Sequence, residues 1–153
     1  MRVSLHWLRE FVAIDVPVEE IAERLTRCSL EVEAMEDLGR ALEGVVVARI
    51  KSQQMHPNAD RLTLCCVEDG AGERAIVCGA KNMQAGDYVA LALPNTTLPN
   101  GMEIKKSKVR GEVSEGMLCS ETELGLATES AGIIVFDRER ARAAGLGIPA
   151  AKL

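Results

Sequence analysis

Three basic residues stand at alternate positions in this 153-residue sequence: Lys106, Lys108 and Arg110. Their type and spacing suggest a binding chemistry more clearly than any other pattern in the chain. Alternate side chains of a strand lie on one face, so the three cations would form a row, with Lys105 on the opposite face. Such a row can follow the phosphates of a nucleic-acid backbone. The alternatives are a solvent-exposed strand face and a sheet edge that lysines protect from pairing.

A second polar segment, HPNADR, begins at His56 and has the composition of a loop between two strands. Pro57 holds His56 extended, and the side chains of Asn58 and Asp60 can cap a turn. Arg61 is the residue of this segment best suited to hold a phosphate. The segment either forms only a turn or also contacts a ligand, because loop residues serve both structure and function.

The residue types needed for covalent or metal chemistry do not occur in recognisable arrangements. The two histidines, His6 and His56, lie outside any nucleophile motif. The sequence contains no P-loop, no GxGxxG and no Cys, His or carboxylate cluster with metal spacing. We therefore expect no catalytic residue, cofactor-binding residue or metal ligand in this chain.

Composition indicates a globular protein of one domain, or of one domain and part of another. Hydrophobic residues make up 47% of the chain, which is enough for a core, and the longest apolar runs have only strand length. The first eleven residues include two arginines and a glutamate, so they lack the apolar core of a signal peptide. The five cysteines include no CxxC pair, and we expect reduced thiols in or near a core. These features predict a cytoplasmic protein without membrane contact.

The net charge of −5 argues against strong general binding of nucleic acid. Its distribution is uneven: residues 1–39 carry −5, residues 40–125 carry −1 and residues 126–153 carry +1. The net negative charge therefore lies in the N-terminal segment. The middle of the chain is nearly neutral, which is compatible with a local basic face there.

Two helices and a strand are predicted before residue 40. Ser4 can cap a short helix that includes Trp7. A second helix, 18–28, has apolar residues at helical spacing and Pro17 at its start. Alternation over 30–35 predicts a half-buried strand.

After Gly44 the sequence divides into short strands separated by Gly, Pro, Asn and Asp, which is typical of a small antiparallel barrel or sandwich. The predicted strands are 45–50, 62–67, 75–78, 88–93, 102–109, 117–119 and 133–136, with one helical turn at 121–126. Residues 138–153 are weakly patterned and resemble an unfinished segment.

Taken together, these motifs resemble those of the tRNA-binding domain family. HPNADRL (56–62) is similar to the HPNAD(K/R)L loop of that family, and KVRGEVSEGM (108–117) is similar to its K-(L/V)-R-G-x-x-S-x-G-M hairpin. The domain is shared by bacterial phenylalanyl-tRNA synthetase β chains, by the C-terminal extension of many methionyl-tRNA synthetases and by small free-standing tRNA-binding proteins. VCGAKN, LPNTTLPNGMEIKKSKVRG, GMLCS and the N-terminal SLHWL resemble the phenylalanyl β chain in particular.

The resemblance, which covers about residues 1–150, implies an α+β fold with a small antiparallel OB-type β-barrel inserted next to a partial N-terminal α/β module. On this basis we assign residues 1–38 to the module, 39–148 to the OB-fold domain and 149–153 to the start of a truncated following segment. Family β chains continue with further domains, so we interpret the sequence as an N-terminal fragment.

For the parent protein, the resemblance implies an α2β2 phenylalanine–tRNA ligase that charges tRNA-Phe with ATP and Mg2+, with the catalytic site in the α subunit. The fragment would bind RNA backbone weakly or serve subunit architecture, without chemistry of its own. The alternatives are a free-standing structure-specific tRNA-binding protein and a purely structural or protein-interaction OB domain.

Tyr88 is the one aromatic residue between residues 39 and 135, so this stretch offers almost no ring for stacking bases, and we expect any RNA contact to involve backbone and shape. Ser114 and Glu115 are expected to shape the hairpin turn, with an RNA contact by Ser114 as the alternative. The candidate RNA-binding residues are His56, Asn58, Arg61, Lys106, Lys108, Arg110 and Ser114.

Overall fold

A computed structural model describes residues 3–37 and 39–153 and divides the chain into two compact units, Met1–Glu36 and Asp37–Leu153. The boundary that we predicted at residue 38 falls outside the described residues. No helix in the described part of the chain is long and apolar enough to cross a membrane.

The first unit contains both predicted helices. Helix α1 spans Leu5–Leu8, and the hydroxyl of Ser4 accepts a hydrogen bond from the Trp7 amide at 3.4 Å, which confirms the predicted cap. Helix α2 spans Val18–Arg27 and begins directly after Pro17.

The prediction of a strand over residues 30–35 is wrong, because residues 30–37 form neither helix nor strand. Alternating side chains can suit a strand, yet the backbone needs a neighbouring strand to satisfy its hydrogen bonds, and none pairs with this segment. Among residues 3–36 no side chain is buried, so the described part of this unit has no core of its own.

In its described residues, the second unit is built from eight strands, all of them in antiparallel pairs. They are β1 Val45–His56, β2 Ala59–Glu68, β3 Glu73–Cys78, β4 Tyr88–Ala92, β5 Ser107–Val109, β6 Glu112–Ser114, β7 Met117–Leu118 and β8 Val135–Phe136. Helix α3, Arg138–Ala144, and two short 3-10 helices, Arg40–Leu42 and Ala150–Lys152, complete the unit. The order in the main sheet is β3-β2-β1-β4-β7 with β8 also on β4, while β5 and β6 form a separate two-stranded sheet. The predicted α+β class with an antiparallel OB-type sheet is confirmed.

The two ends of the main sheet approach each other without forming a strand ladder in the described residues. The Glu115 amide donates to the Ala75 carbonyl of β3 at 2.8 Å, and the Val77 amide donates to the Ser114 hydroxyl at 3.1 Å. A few hydrogen bonds therefore join the β6–β7 segment to β3, which is the partly open closure typical of OB folds.

The core lies on both faces of the central strands. Val46 and Ile50 of β1 pack on one side with Val67, Ile76 and neighbouring residues. Val45 packs on the other side with alanines of β4. Because β4 is buried along its whole length, it is the least solvent-accessible strand of the unit.

Three of the five cysteines belong to this core, as expected for reduced thiols. Cys65, Cys78 and Cys119 are buried, and burial raises the pKa of Cys65 to about 11 and that of Cys119 to about 12. Cys66 lies on the opposite face of β2 and is half-buried. The expectation is wrong for Cys28, which is exposed.

Several predicted element limits are also wrong. β5 begins only at Ser107 rather than at residue 102. The single helical turn predicted over residues 121–126 is confirmed, because the Leu124 amide donates to the Ser120 carbonyl four residues earlier. Residues 138–153, weakly patterned in sequence, contain α3 and lie along β1, where Val47 exchanges hydrogen bonds with Gly147 and Ile148. Helix α3 escapes prediction because it buries only Ala141 and so carries no apolar stripe.

Candidate nucleic-acid interface

A two-residue turn, Pro57-Asn58, joins β1 to β2. His56 pairs with Ala59 across it, so the loop predicted from His56 to Arg61 is much shorter than expected. Proline suits the first central position of such a turn because its ring already holds the required backbone angle. The turn residues are thus held by the ends of two long strands.

Arg61 lies just beyond this turn, in an irregularity of the β1–β2 ladder. The pairs Met55–Thr63 and His56–Ala59 are consecutive on β1, which leaves residues 60–62 of β2 without partners. Bulges of this kind bend a strand and redirect its side chains. The side chain of Arg61 is exposed there.

The second basic motif forms a hairpin whose turn is Arg110-Gly111. Val109 pairs with Glu112, and the backbone angle φ is +53° at Arg110 and +101° at Gly111, as a type I′ turn requires. A non-glycine residue costs about 1 kcal/mol in this region. Arg110 is therefore a turn residue and not the last member of a strand row, which corrects the predicted alternation over residues 106–110.

The two turns contact each other through side chains of the first motif. His56 Nε2 lies 3.1 Å from the Val109 carbonyl oxygen, and His56 Nδ1 accepts the Asn58 amide hydrogen at 3.0 Å. The Asn58 side-chain amide donates to the Arg110 carbonyl at 3.4 Å. Motifs about fifty residues apart in sequence therefore form one surface.

We call this surface the paired turns, residues 56–59 and 109–112. Because Nδ1 of His56 accepts a hydrogen bond, the ring proton is on Nε2 and is donated to Val109. Only 3% of the surface of His56 is exposed. Both ring nitrogens are thus committed within the protein.

Ser114 is likewise buried, with 4% of its surface exposed. Its hydroxyl accepts from the Val77 amide at 3.1 Å and donates to the Gly116 carbonyl at 2.9 Å. Of the seven candidate residues, His56 and Ser114 therefore present no polar group to a ligand. Asn58, Arg61, Lys106, Lys108 and Arg110 are exposed.

The exposed cations differ in their ion pairing. Lys106 contacts the Glu115 carboxylate at 2.5 Å, and this hydrogen bond holds the pKa of Glu115 below its usual value. Within the described residues, Arg61, Lys108 and Arg110 have no carboxylate at ion-pair distance. Cations further along the main sheet are paired; these pairs are Arg49–Glu68, Lys51–Glu73 and Arg74–Asp69. Three exposed cations without an ion-pair partner in the described residues thus lie at or beside the paired turns.

Lys81 is a cation of this region that the sequence pattern does not indicate. It is exposed on the β3–β4 connection, and its ammonium group donates to the Thr63 hydroxyl at 3.2 Å. Thr63 follows Arg61 by two positions, about 7 Å along a strand. An isolated lysine in a loop carries no sequence signal, so only the fold reveals this proximity.

Phosphate contact is the chemistry that this surface offers. Tyr88 is buried in the core and Phe136 packs partly against it, so the described part of residues 37–153 has no exposed aromatic ring for stacking bases. The described residues also contain no group of three His, Cys, Asp or Glu side chains that could hold a metal ion.

Comparison with known proteins gives one matching family model, described as "Putative tRNA binding domain", over residues 45–144. The chain is 50% identical over 149 residues to the phenylalanine–tRNA ligase beta subunit of Geobacter metallireducens, covering 97% of this chain and 18% of that protein. It is 52% identical over 138 residues to the same subunit of Thermosynechococcus vestitus, covering 89% of this chain and 17% of that protein.

These identities confirm the resemblance to phenylalanyl β chains, and the chain spans less than a fifth of the length of these relatives. Among solved structures, a MetRS related protein from Pyrococcus horikoshii is similar, with a TM-score of 0.45 and 19% identity. The match covers 69% of this chain and 92% of that one.

Proposed function

This chain belongs to the tRNA-binding domain family, whose model spans residues 45–144, and from that membership we propose that the paired turns bind tRNA through its phosphate backbone. The observation that carries the proposal is the direct contact between the two family motifs, which places the unpaired cations Lys108 and Arg110 on one hairpin and Arg61 beside the other.

Each exposed residue has a distinct part in this proposal. The guanidinium groups of Arg61 and Arg110 suit bidentate contact with phosphate oxygens, and Lys108 supplies a point charge. The side-chain amide of Asn58 can donate a further hydrogen bond, since Asn58 lies exposed on the same turn. His56 and Ser114 hold the backbone that carries these groups.

The charge and composition of the chain indicate weak binding that depends on the shape of the RNA. A net charge of −5 repels RNA at long range. Without exposed aromatic rings in the described barrel residues, the surface gains nothing from unpaired bases. We therefore expect a preference for folded tRNA over an unstructured oligonucleotide of equal length.

The test is a titration of fluorescently labelled tRNA at several salt concentrations between 0.05 and 0.2 M. Three phosphate contacts predict a slope of roughly −2 for the logarithm of the binding constant against the logarithm of salt concentration. An unstructured oligonucleotide of equal length is the matched competitor. Absence of salt-dependent binding even at the lowest salt would contradict the proposal.

For the longer protein that contains this region, we propose a β subunit of phenylalanine–tRNA ligase. Identities of about 50% to such subunits support this reading. That enzyme would act in the cytoplasm as an α2β2 tetramer on tRNA-Phe with ATP and Mg2+, and its chemistry would lie outside the present chain. This region would contribute contact with tRNA or subunit architecture.

A second candidate is a structural OB domain that packs against other parts of the same enzyme and has little affinity for RNA. The net charge of −5 and the pairing of Lys106 with Glu115 favour it. The titration distinguishes the two candidates, because a structural domain shows no salt-dependent binding.

The pairing of Lys106 makes a graded prediction within the basic motif. Lys106→Ala is expected to lower tRNA affinity less than twofold, whereas Lys108→Ala lowers it about fivefold at 0.1 M salt, the loss of one full phosphate contact. The reason is that Glu115 already neutralises Lys106. Glu115→Gln removes the carboxylate that pairs with Lys106, so it should strengthen tRNA binding. In the Glu115→Gln background, Lys106→Ala should then lower tRNA affinity as much as Lys108→Ala does. Equal losses for the two single lysine variants in the native background would show that the Glu115 contact does not matter.

A further inference from the structure

We propose that His56 is a positioning residue whose two ring nitrogens hold the β5–β6 turn against the β1–β2 turn. By doing so it would bring Lys108 and Arg110 to the same surface as Arg61. This inference rests on the proposed function for its consequence in tRNA binding, while the mechanical coupling of the two turns can be measured without RNA.

The β5–β6 hairpin needs such a contact because it is not part of the main sheet. At its base it is held by the hydrogen bonds of Glu115 and Ser114 to β3 and by the Lys106–Glu115 ion pair. A two-stranded hairpin is marginally stable by itself in water. Without a contact at its tip, the hairpin that carries Lys108 and Arg110 could move about its base.

In the described residues, the hydrogen bonds between the hairpin tip and the main sheet come from the first motif. His56 Nε2 donates to the Val109 carbonyl at 3.1 Å, and the Asn58 side chain donates to the Arg110 carbonyl at 3.4 Å. The first bond is partly buried and of ordinary length, whereas the second is exposed and long, so water competes less with the first. His56 therefore makes the stronger of the two contacts.

A histidine suits this position because a neutral imidazole ring presents one donor and one acceptor in a rigid arrangement. Its acceptor nitrogen receives the Asn58 amide hydrogen and so fixes the β1–β2 turn. Its donor nitrogen reaches the other turn. One side chain thus orders both turns and also their relative position.

Direct contact of His56 with RNA is the competing explanation. Only 3% of the residue is exposed, and both nitrogens already have partners at 3.0 and 3.1 Å. An RNA contact would require both bonds to break and the ring to leave its pocket, so positioning is the role that the geometry favours.

Two substitutions separate the two hydrogen bonds. The side-chain nitrogen of glutamine can replace Nε2, so His56→Gln keeps the donor to Val109. Asparagine places an oxygen near Nδ1 and is too short to reach Val109, so His56→Asn keeps only the bond to Asn58. Thr96→Val is the matched control, because Thr96 is another buried polar residue of the same unit and the change removes its one side-chain hydrogen bond, to the Gly44 carbonyl.

The first measurement is amide hydrogen exchange of residues 107–114 without RNA. We expect His56→Asn to accelerate exchange in this hairpin at least tenfold while β4 remains protected, and His56→Gln to stay within about threefold of the native rate. Thr96→Val should leave the hairpin unchanged. Native-like hairpin exchange in His56→Asn overturns the inference. If His56→Asn does not fold, Asn58→Ala replaces it, an exposed change that removes only the second tip contact and leaves the His56 bond to Val109 in place. Hairpin exchange should then stay within about threefold of the native rate. A tenfold acceleration would show that Asn58 rather than His56 holds the tip, and it would overturn the inference.

The second measurement is tRNA affinity of the same variants at 0.1 M salt. His56→Asn should lose about 25-fold, the equivalent of the Lys108 and Arg110 contacts together, and His56→Gln less than about threefold. Equal loss in both variants with a protected hairpin shows direct contact of His56 with RNA and overturns the inference. If the native protein binds no tRNA while His56→Asn still loosens the hairpin, the proposed function fails and the positioning role stands.

Discussion

Replacing Arg61, Lys108 and Arg110 together by alanine is expected to lower the affinity for tRNA about a hundredfold at 0.1 M salt. Each of the three cations is exposed and, within the described residues, has no carboxylate partner. The loss should shrink as salt rises, because counterions replace the missing cations, and the slope against salt should approach zero. In the proposed β subunit of phenylalanine–tRNA ligase, the same change should raise KM for tRNA and leave ATP–pyrophosphate exchange unaltered.

The chain offers a control with the same change in net charge. Arg140, Arg142 and Lys152 are also exposed and lie on or after α3. Both triple variants change the net charge from −5 to −8. If the two variants bind tRNA equally, affinity depends on total charge rather than on the paired turns, and the proposed surface is wrong.

Gly116→Ala is expected to destabilise the second unit by roughly 3 kcal/mol. The backbone angle φ is +145° at Gly116, and an added Cβ would lie 2.6 Å from the Ala92 carbonyl oxygen of β4. Ala92 is part of the fully buried central strand and cannot retreat. Strained backbone costs about 1–2 kcal/mol and overpacking about 1–3 kcal/mol, against a total stability of about 5–15 kcal/mol for most domains.

Urea unfolding measures this loss, and Gly101→Ala separates its two causes. Gly101 also has a positive φ, +84°, but an added Cβ would meet nothing within 4 Å. We therefore expect Gly101→Ala to cost about 1 kcal/mol, the conformational part alone. If the midpoint shifts for the two variants are the same, close packing of Gly116 on β4 does not contribute to stability. Gly116, the glycine of the S-x-G-M motif, would then be needed only for its positive backbone angle φ.

A feature could be predicted from the sequence where it leaves a local pattern of apolar and polar residues. Helix α2 was predictable because Ile21, Ala22 and Leu25 recur at helical spacing. The extension of β1 through residues 51–56 was missed because most of its side chains are exposed and show no alternation. The alternation over residues 30–35 predicts a strand that does not form. A strand also needs a hydrogen-bonding partner, and the local sequence does not show whether a distant segment supplies one.

The candidate site shows the same division. Residue type and spacing indicate the candidate phosphate-binding cations, and two motifs indicate the tRNA-binding domain family. The contact between His56 and Val109 joins residues 53 positions apart, so no local sequence pattern predicts it. The same holds for the pairing of Lys106 with Glu115 and for the approach of Lys81 to Thr63. These contacts decide which of the predicted residues face solvent and which hold the others in place.

The uneven burial of the thiols makes the chain convenient for single-site labelling. Maleimides react with thiolates, and burial keeps Cys65 and Cys119 protonated at neutral pH. Desolvation and a hydrogen bond to Glu73 also raise the pKa of the half-buried Cys66. The exposed Cys28, in the first unit, is left as the preferred attachment point. A dye coupled there modifies none of the residues of the paired turns, so it can report tRNA binding without engineered cysteines.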